Sequence, residues 1–349
     1  MSADPPLGVV TQDDAALYDR QIRLWGFDAQ SRLQQAQVLL IGLTGTMTEI
    51  AKNLVLAGVG GVSLLSASSD SSLLQPRHLA AQFLVSQDYV GKPREVAALA
   101  RLHDLNPRVK ISVLTGHVFD GRDIIGMTLH SLSLSLSLST HFCFCFFVCF
   151  YFEALMSGFR IICVSNVGAF SRDQLETLDS TCRQNRVPFI LADTAGLTGF
   201  SFFDADSHSY GAQSAEHPSL AQVLALADWS AEAYRRASQL FFMLSTLLQT
   251  ALPLSPALLT SEKLGHLLSA KVALCSSRGR PTAFPDARYQ EFLKTFGREF
   301  SPVCSIVGGF VGQEIISLIT AKEEPLPNFF LYDGNTGEGS SLTFPLTQR

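Results

Sequence analysis

Residues 38–41 read Val, Leu, Leu, Ile, an unbroken apolar run of the kind found in strands buried on both faces. The text Gly42, Leu43, Thr44, Gly45 follows, and helical spacing over 49–57 closes at Gly58, so this segment predicts strand, glycine turn and helix. Short apolar runs at 62–65, 109–114, 160–164 and 189–191 predict four more strands, and helical periodicity over 92–106 and 171–185 places helices between them. Strands alternating with helices imply an α/β fold built on a doubly wound, mostly parallel sheet of Rossmann type. Ahead of the first strand, residues 13–24 carry Ala16, Leu17, Gln21 and Leu24 at near-helical spacing behind acidic first-turn residues, and a second helix is expected over 29–35.

The second half changes rhythm. Residues 195–203 read as a turn and an antiparallel strand, 204–218 as a polar loop, and 329–332 as the final strand. Between 220 and 293 the pattern is helical, and 303–319, with Gly308, Gly309 and Gly312, predicts a helix suited to close packing. The expected division is an α/β unit over 10–206, a helical insertion over 207–298, and a return of the chain to the α/β unit over 299–349.

One stretch inside the first unit does not match its surroundings. From 124 to 152 there is no Asp, Glu, Lys or Arg; serine and leucine alternate over 131–139, and six of the 25 phenylalanines fall between 142 and 152. The uncharged length is that of a membrane span, but serines and histidines dilute it, and a period of two belongs to a strand. Residues 127–152 read as a translated simple repeat, since such an alternation followed by a Phe/Cys tract is what a dinucleotide repeat and a pyrimidine tract encode. Removing them joins Gly126 to Glu153 in a helix that leads into the strand at 160. The segment is an aggregation hazard on any of these readings.

Composition narrows the function classes. The chain has 349 residues, 26 Lys+Arg against 31 Asp+Glu, a net charge of -5 and 47% hydrophobic residues, which describes a folded globular chain and not a disordered one. No run of Lys or Arg exceeds two, so the footprint of a nucleic-acid binder is missing. Seven cysteines contain no CxxC pair, which argues against a zinc ribbon, and no metal site is expected. The N-terminus shows no signal-peptide pattern, so a reducing cytosolic or nuclear compartment is expected.

The glycine turn is the first piece of candidate chemistry. Gly42-Leu43-Thr44-Gly45-Thr46-Met47 is similar to a phosphate-binding turn whose last glycine has become Met47, a residue expected to spoil close packing of helix on strand. The acid that a dinucleotide site wants at the end of the second strand is absent from Leu64, Leu65, Ser66, and Asp70 reads as a loop residue. On these features alone, a stand-alone Rossmann-like nucleotide-binding module remains an alternative.

More specific is Tyr18-Asp19-Arg20-Gln21-Ile22-Arg23-Leu24-Trp25-Gly26, which resembles the opening motif of the adenylation halves of ubiquitin-like activating enzymes, the ThiF/MoeB-like superfamily. Residues 49–58, Gln82-Phe83-Leu84 with Val90-Gly91-Lys92, and 301–309 with Gln313-Glu314-Ile315 agree with it. The last of these, with Asn328-Phe329-Phe330, Asp333-Gly334 and Ala227-Asp228-Trp229-Ser230, is most similar to the smaller, non-catalytic subunits of heterodimeric SUMO-activating enzymes. The long charged loop that precedes Asp228 in that family is missing here.

The resemblance implies a pseudo-adenylation half. Ser66 stands where the family has its ribose-binding Asp, Ala80 and Ala81 where it has an Asn and an Arg on phosphates and metal, and Arg94 where it has a lysine. Together with Gly42 and Gly45 these residues form a degenerate pocket. ATP and Mg would then be bound by a catalytic large subunit, which also supplies the cysteine and most of the contacts with SUMO. Arg20 takes the family position that reaches across to the partner's ATP, with Arg23 as a weaker second candidate, while Tyr18, Leu24 and Trp25 are expected to pack. The implied location is the nucleus, with a cytoplasmic share. A small subunit of NEDD8-activating enzyme is the same-family alternative, though such chains are much longer.

Overall fold

The computed structural model describes residues 11–68, 73–117, 158–225, 234, 237–250, 254 and 259–344. The repeat-like segment 127–152 and the Ala227–Ser230 motif lie outside these residues.

Ten strands and eleven helices are found among the described residues. At the N-terminus the expected single helix is two, α1 (Gln12–Leu17) and α2 (Asp19–Trp25), because Tyr18 leaves helical geometry between them. Thr11 caps α1 in a reciprocal box with Asp14. Next come α3 (Phe27–Gln35), β1 (Gln37–Ile41), α4 (Gly45–Ala57), β2 (Gly61–Ser66), α5 (Arg94–Leu105) and β3 (Lys110–His117). Beyond residue 157 lie β4 (Ile161–Val164), α6 (Arg172–Gln184), β5 (Phe189–Ala195) and β6 (Thr198–Asp204). The expected polar loop over 204–218 is instead an antiparallel hairpin, β7 (Ser207–Tyr210) and β8 (Gln213–Glu216). Its strands are short and polar, so alternation could not announce them, although Gly211, at positive φ, marks the turn. The helical stretch resolves into α7 (Leu220–Ala225), α8 (Gln239–Thr250), α9 (Ser261–Ser277) and α10 (Asp286–Thr295), followed by α11 (Ser301–Thr320) and β9 (Phe329–Asp333). β9 is not the final strand: β10 (Glu338–Leu342), short and mostly polar, pairs antiparallel along the sheet edge.

Eight strands make one sheet in the order β10-β9-β6-β5-β4-β1-β2-β3. The five from β3 to β5 are parallel, and β6, β9 and β10 add antiparallel pairings. Successive side chains of β1 enter opposite cores: Val38 and Leu40 join α3, α4, α5 and α11 on one face, while Leu39 and Ile41 join α6 to α10 on the other. That two-sided burial is why β1 reads as an unbroken apolar run.

The chain winds outward from β1 to β2 and β3, then returns to β4 on the other side of β1. In a sheet wound this way, ligands bind outside the strand ends where the winding reverses, here at the C-terminal ends of β1 and β4. Helix α11 passes the membrane-span test of length and hydropathy, yet its most apolar stretch is 72% buried inside the fold, as befits a core helix. A Cβ at its Gly308 would lie 2.5 Å from the Glu49 Cβ and 2.8 Å from the Thr46 carbonyl oxygen, so only glycine allows α11 this close to α4.

Candidate functional site

The turn between β1 and α4 is shaped for close approach. Gly42 has a φ of 79°, and a Cβ there would meet the Ser165 carbonyl oxygen at 2.6 Å. Thr44 caps α4 by accepting from the Met47 N–H at 3.3 Å, and its hydroxyl lies 2.5 Å from that of Ser165 at the end of β4. Met47 does not spoil the packing. It is fully buried in the core with Leu43 and Ile50, and the intimate backbone contact is supplied from the other helix by Gly308.

A carboxylate of the chain itself stands at the first turn of α4. Glu299, two residues before α11, accepts from Gln82 Nε2 at 2.9 and 3.1 Å and from Arg94 at 3.3 Å. The Gly45 amide lies beside it and favours its charged form, and a Cβ on Gly45 would come within 3.2 Å of Glu299 Oε2. The side chains of Glu299 and Arg94 are 8% and 4% exposed. Burial pushes the Glu299 carboxyl up, and Arg94, Gln82 and the Gly45 amide oppose that shift. Close by, Asp193 at the end of β5 is pushed up to about 7 by burial, against the hydrogen bonds from the Thr194 and Val167 amides, each 2.8 Å.

Of the degenerate pocket, Gly45 and Arg94 meet this carboxylate, Ala81 lies beside Gly45, and Gly42 packs instead against Ser165 and Asn166. Ser66 ends β2 with its side chain buried, and Ala80 is exposed. Residues the sequence did not single out complete the cluster: Glu299, Ser165 and Asp193, with Gln82 known only as part of a motif. ATP with magnesium does not fit here. The amide of the glycine turn and the cation at the family's lysine position are already taken by Glu299, and Ala80 and Ala81 offer no polar group. Among the described residues no group of three His, Cys, Asp or Glu side chains is placed to hold a metal.

The N-terminal helices are built differently. Tyr18 is 4% exposed; its hydroxyl accepts from Asn106 Nδ2 at 2.8 Å, and its ring lies against Gly58. Ile22 is buried one turn later, so the opposite side of α2 faces outward. Arg20 is exposed there and makes no hydrogen bond or ion pair with any described residue. The nearby acid Asp14 pairs with Arg108 and Thr11. Arg23 pairs with Asp19 at 3.0 Å, on the surface. Trp25 donates to Gln30 Oε1 at 3.0 Å and is partly buried, as expected. Leu24 is not a packing residue: it is 79% exposed, because it falls on the outward side with Arg20. Leu17 and Phe27, on the flanking helices, are exposed as well. A cavity of about 520 Å³ near α1, lined by Asp13, Asp14, Gln37, Arg108 and Lys110, opens at the N-terminal ends of β1 and β3. That is the wrong end of the strands for the ligand of a doubly wound sheet.

Known proteins agree with this architecture. Residues 18–129 match the ThiF family. The fold is shared with the crystal structures of E. coli MccB (TM-score 0.54, 16% identity, covering 97% of this chain and 72% of that one) and of PaaA (TM-score 0.55, 15% identity, 99% and 77%). SUMO-activating enzyme subunit 1 of Homo sapiens is 30% identical over 370 residues, 95% of each chain. The same subunit of Dictyostelium discoideum is 30% identical over 346 residues, 95% of this chain and 93% of that one. Subunit 1B-1 of Arabidopsis thaliana is also 30% identical over 346 residues, 95% and 96% of the two chains. With identity at this level along nearly the whole of both chains, the protein belongs to the SUMO-activating enzyme subunit 1 family, within the ThiF family.

Proposed function

We propose that this chain is the non-catalytic subunit of a heterodimeric SUMO-activating enzyme, acting on a nucleotide held by its partner. The observation that carries this reading is Arg20: in the motif that resembles the family's opening, it stands exposed, with no described residue neutralising it. The larger subunit binds ATP and Mg and supplies the thioester cysteine, and SUMO is held mainly by that subunit. Within the complex the SUMO C-terminus is adenylated and then passed to the partner's cysteine. A guanidinium brought to the transferring phosphates neutralises charge that develops in the transition state, and its planar fork can contact two oxygens at once. Around it, the exposed Leu17, Leu24 and Phe27 give the partner apolar surface to bury. Arg23, tied to Asp19, is the lesser contributor. The complex is placed in the nucleus, with a cytoplasmic share.

The test is reconstitution. The full chain is expected to capture the large subunit at equal stoichiometry, to show no ATP:pyrophosphate exchange alone, and to support SUMO-dependent exchange once paired. Exchange by the isolated chain, or a stable monomer that ignores the large subunit, overturns the reading.

A further inference from the structure

Three groups beside the first turn of α4 that could hold an anion are present and already engaged. The Gly45 amide, the Gln82 side-chain amide and the Arg94 guanidinium converge on one point, and Glu299 fills it. We infer that Glu299 is a resident anion: the chain keeps the anion-binding site of its glycine turn and fills it with its own carboxylate, excluding nucleotide phosphate and fastening the start of α11 to α4. The idea goes beyond the partner-dependent reading and stands without it, because it concerns only this chain's own site.

Three features support it. Gln82 and Glu299 lie 217 residues apart in sequence, so the contact joins distant parts of the chain and is no local turn. Gln82 Nε2 is also within 3.3 Å of the Leu43 carbonyl oxygen in the glycine turn, which ties the donor to the turn it serves. Arg94 is itself 4% exposed, and removal of Glu299 takes away the carboxylate with which it pairs out of solvent, so the vacated space favours an anion. A helix N-terminus adds its own preference for negative charge.

Chemical rescue tests this. In Glu299→Ala the freed site should accept a small external anion, so inorganic phosphate or acetate, compared with chloride at equal ionic strength, should raise the melting temperature of the full chain. The expected rise is about 2–4 °C for each tenfold in anion above its Kd. The parent chain and Glu299→Gln, whose site stays sterically filled, should show no such dependence, and ADP should leave the parent's melting temperature unmoved. If Glu299→Ala does not fold in chloride, the readout becomes recovery of folded protein when acetate or phosphate is present during refolding. Absence of both rescue and recovery overturns the inference, and so does an equal response of the parent chain to phosphate or ADP. Neither result depends on the large subunit, so failure here is distinguishable from failure of the heterodimer reading.

Discussion

The start of α5, which packs beside the first turn of α4, and the outer side of α2 each carry an arginine at a position that the family resemblance links to nucleotide, and the fold treats the two in opposite ways. Arg94 is withdrawn from solvent and spent on Glu299, whereas Arg20 is held out on a helix anchored from behind by Tyr18 and Ile22. An arginine neutralised inside its own subunit contributes to folding; one left exposed and unneutralised is available to another subunit. The contrast teaches that one arginine serves this chain's own packing, while the other, on the proposed function, is left for a second subunit.

The largest effect expected on stability follows from breaking the buried side of that contrast. Arg94→Ala leaves Glu299 buried without its cation, and removal of one partner from a buried pair costs about 3–5 kcal/mol. Urea unfolding of the full chain measures it, and a loss under about 1 kcal/mol would mean that solvent reaches the carboxylate.

A second effect sharpens the description of the same cluster. With its folded value near 7, Asp193 keeps its proton in the native chain over a range where the unfolded chain has released it. Its favourable contribution is therefore complete below the unfolded value of about 3.9 and is lost as pH rises to about 7, which amounts to roughly 4 kcal/mol across that window. Asp193→Asn should gain stability relative to the parent as pH is raised from about 4 to about 7. Parallel stability profiles for the two proteins would remove Asp193 from the cluster's titration.

Much of this arrangement was legible in the sequence, for stated reasons. The buried run of β1, the glycine turn and α4 announced themselves because each is local: apolar continuity, two glycines, then helical spacing ending at Gly58. Arg20 stands out in the sequence because its motif is a contiguous stretch, and the structure shows its exposure. Glu299 was not, since nothing in Gly297-Arg298-Glu299-Phe300 hints at a contact 217 residues away. Leu24 was misjudged because apolar character predicts burial only where the helix face is known, and the break at Tyr18 resets that face. The hairpin β7–β8 and the edge strand β10 escaped because short polar strands carry no alternation to read.

Smaller effects are expected on the exposed side. Leu24→Ala should change the isolated chain's stability by no more than about 0.5 kcal/mol, as for other surface positions, while weakening capture of the large subunit. A titration of the two subunits separates these readouts, and unchanged affinity would take Leu24 out of the interface. Smaller still, Arg23→Ala removes a surface pair worth about 0.3–0.5 kcal/mol and should leave adenylation within a few-fold of the parent.

The most direct measurement is the rate of SUMO adenylation by the reconstituted complex carrying Arg20→Ala. Because the Arg20 side chain is exposed and makes no hydrogen bond or ion pair with the described residues of its own chain, assembly and melting temperature should hold. The adenylation rate should fall by about 30-fold to 1000-fold, the equivalent of losing roughly 2–4 kcal/mol from one charged donor in a water-excluded site. Arg20→Lys should restore part of the rate, since the charge returns without the fork. A fully assembled Arg20→Ala complex that adenylates SUMO at the parent rate would contradict the account and make Arg20 a surface arginine like Arg23.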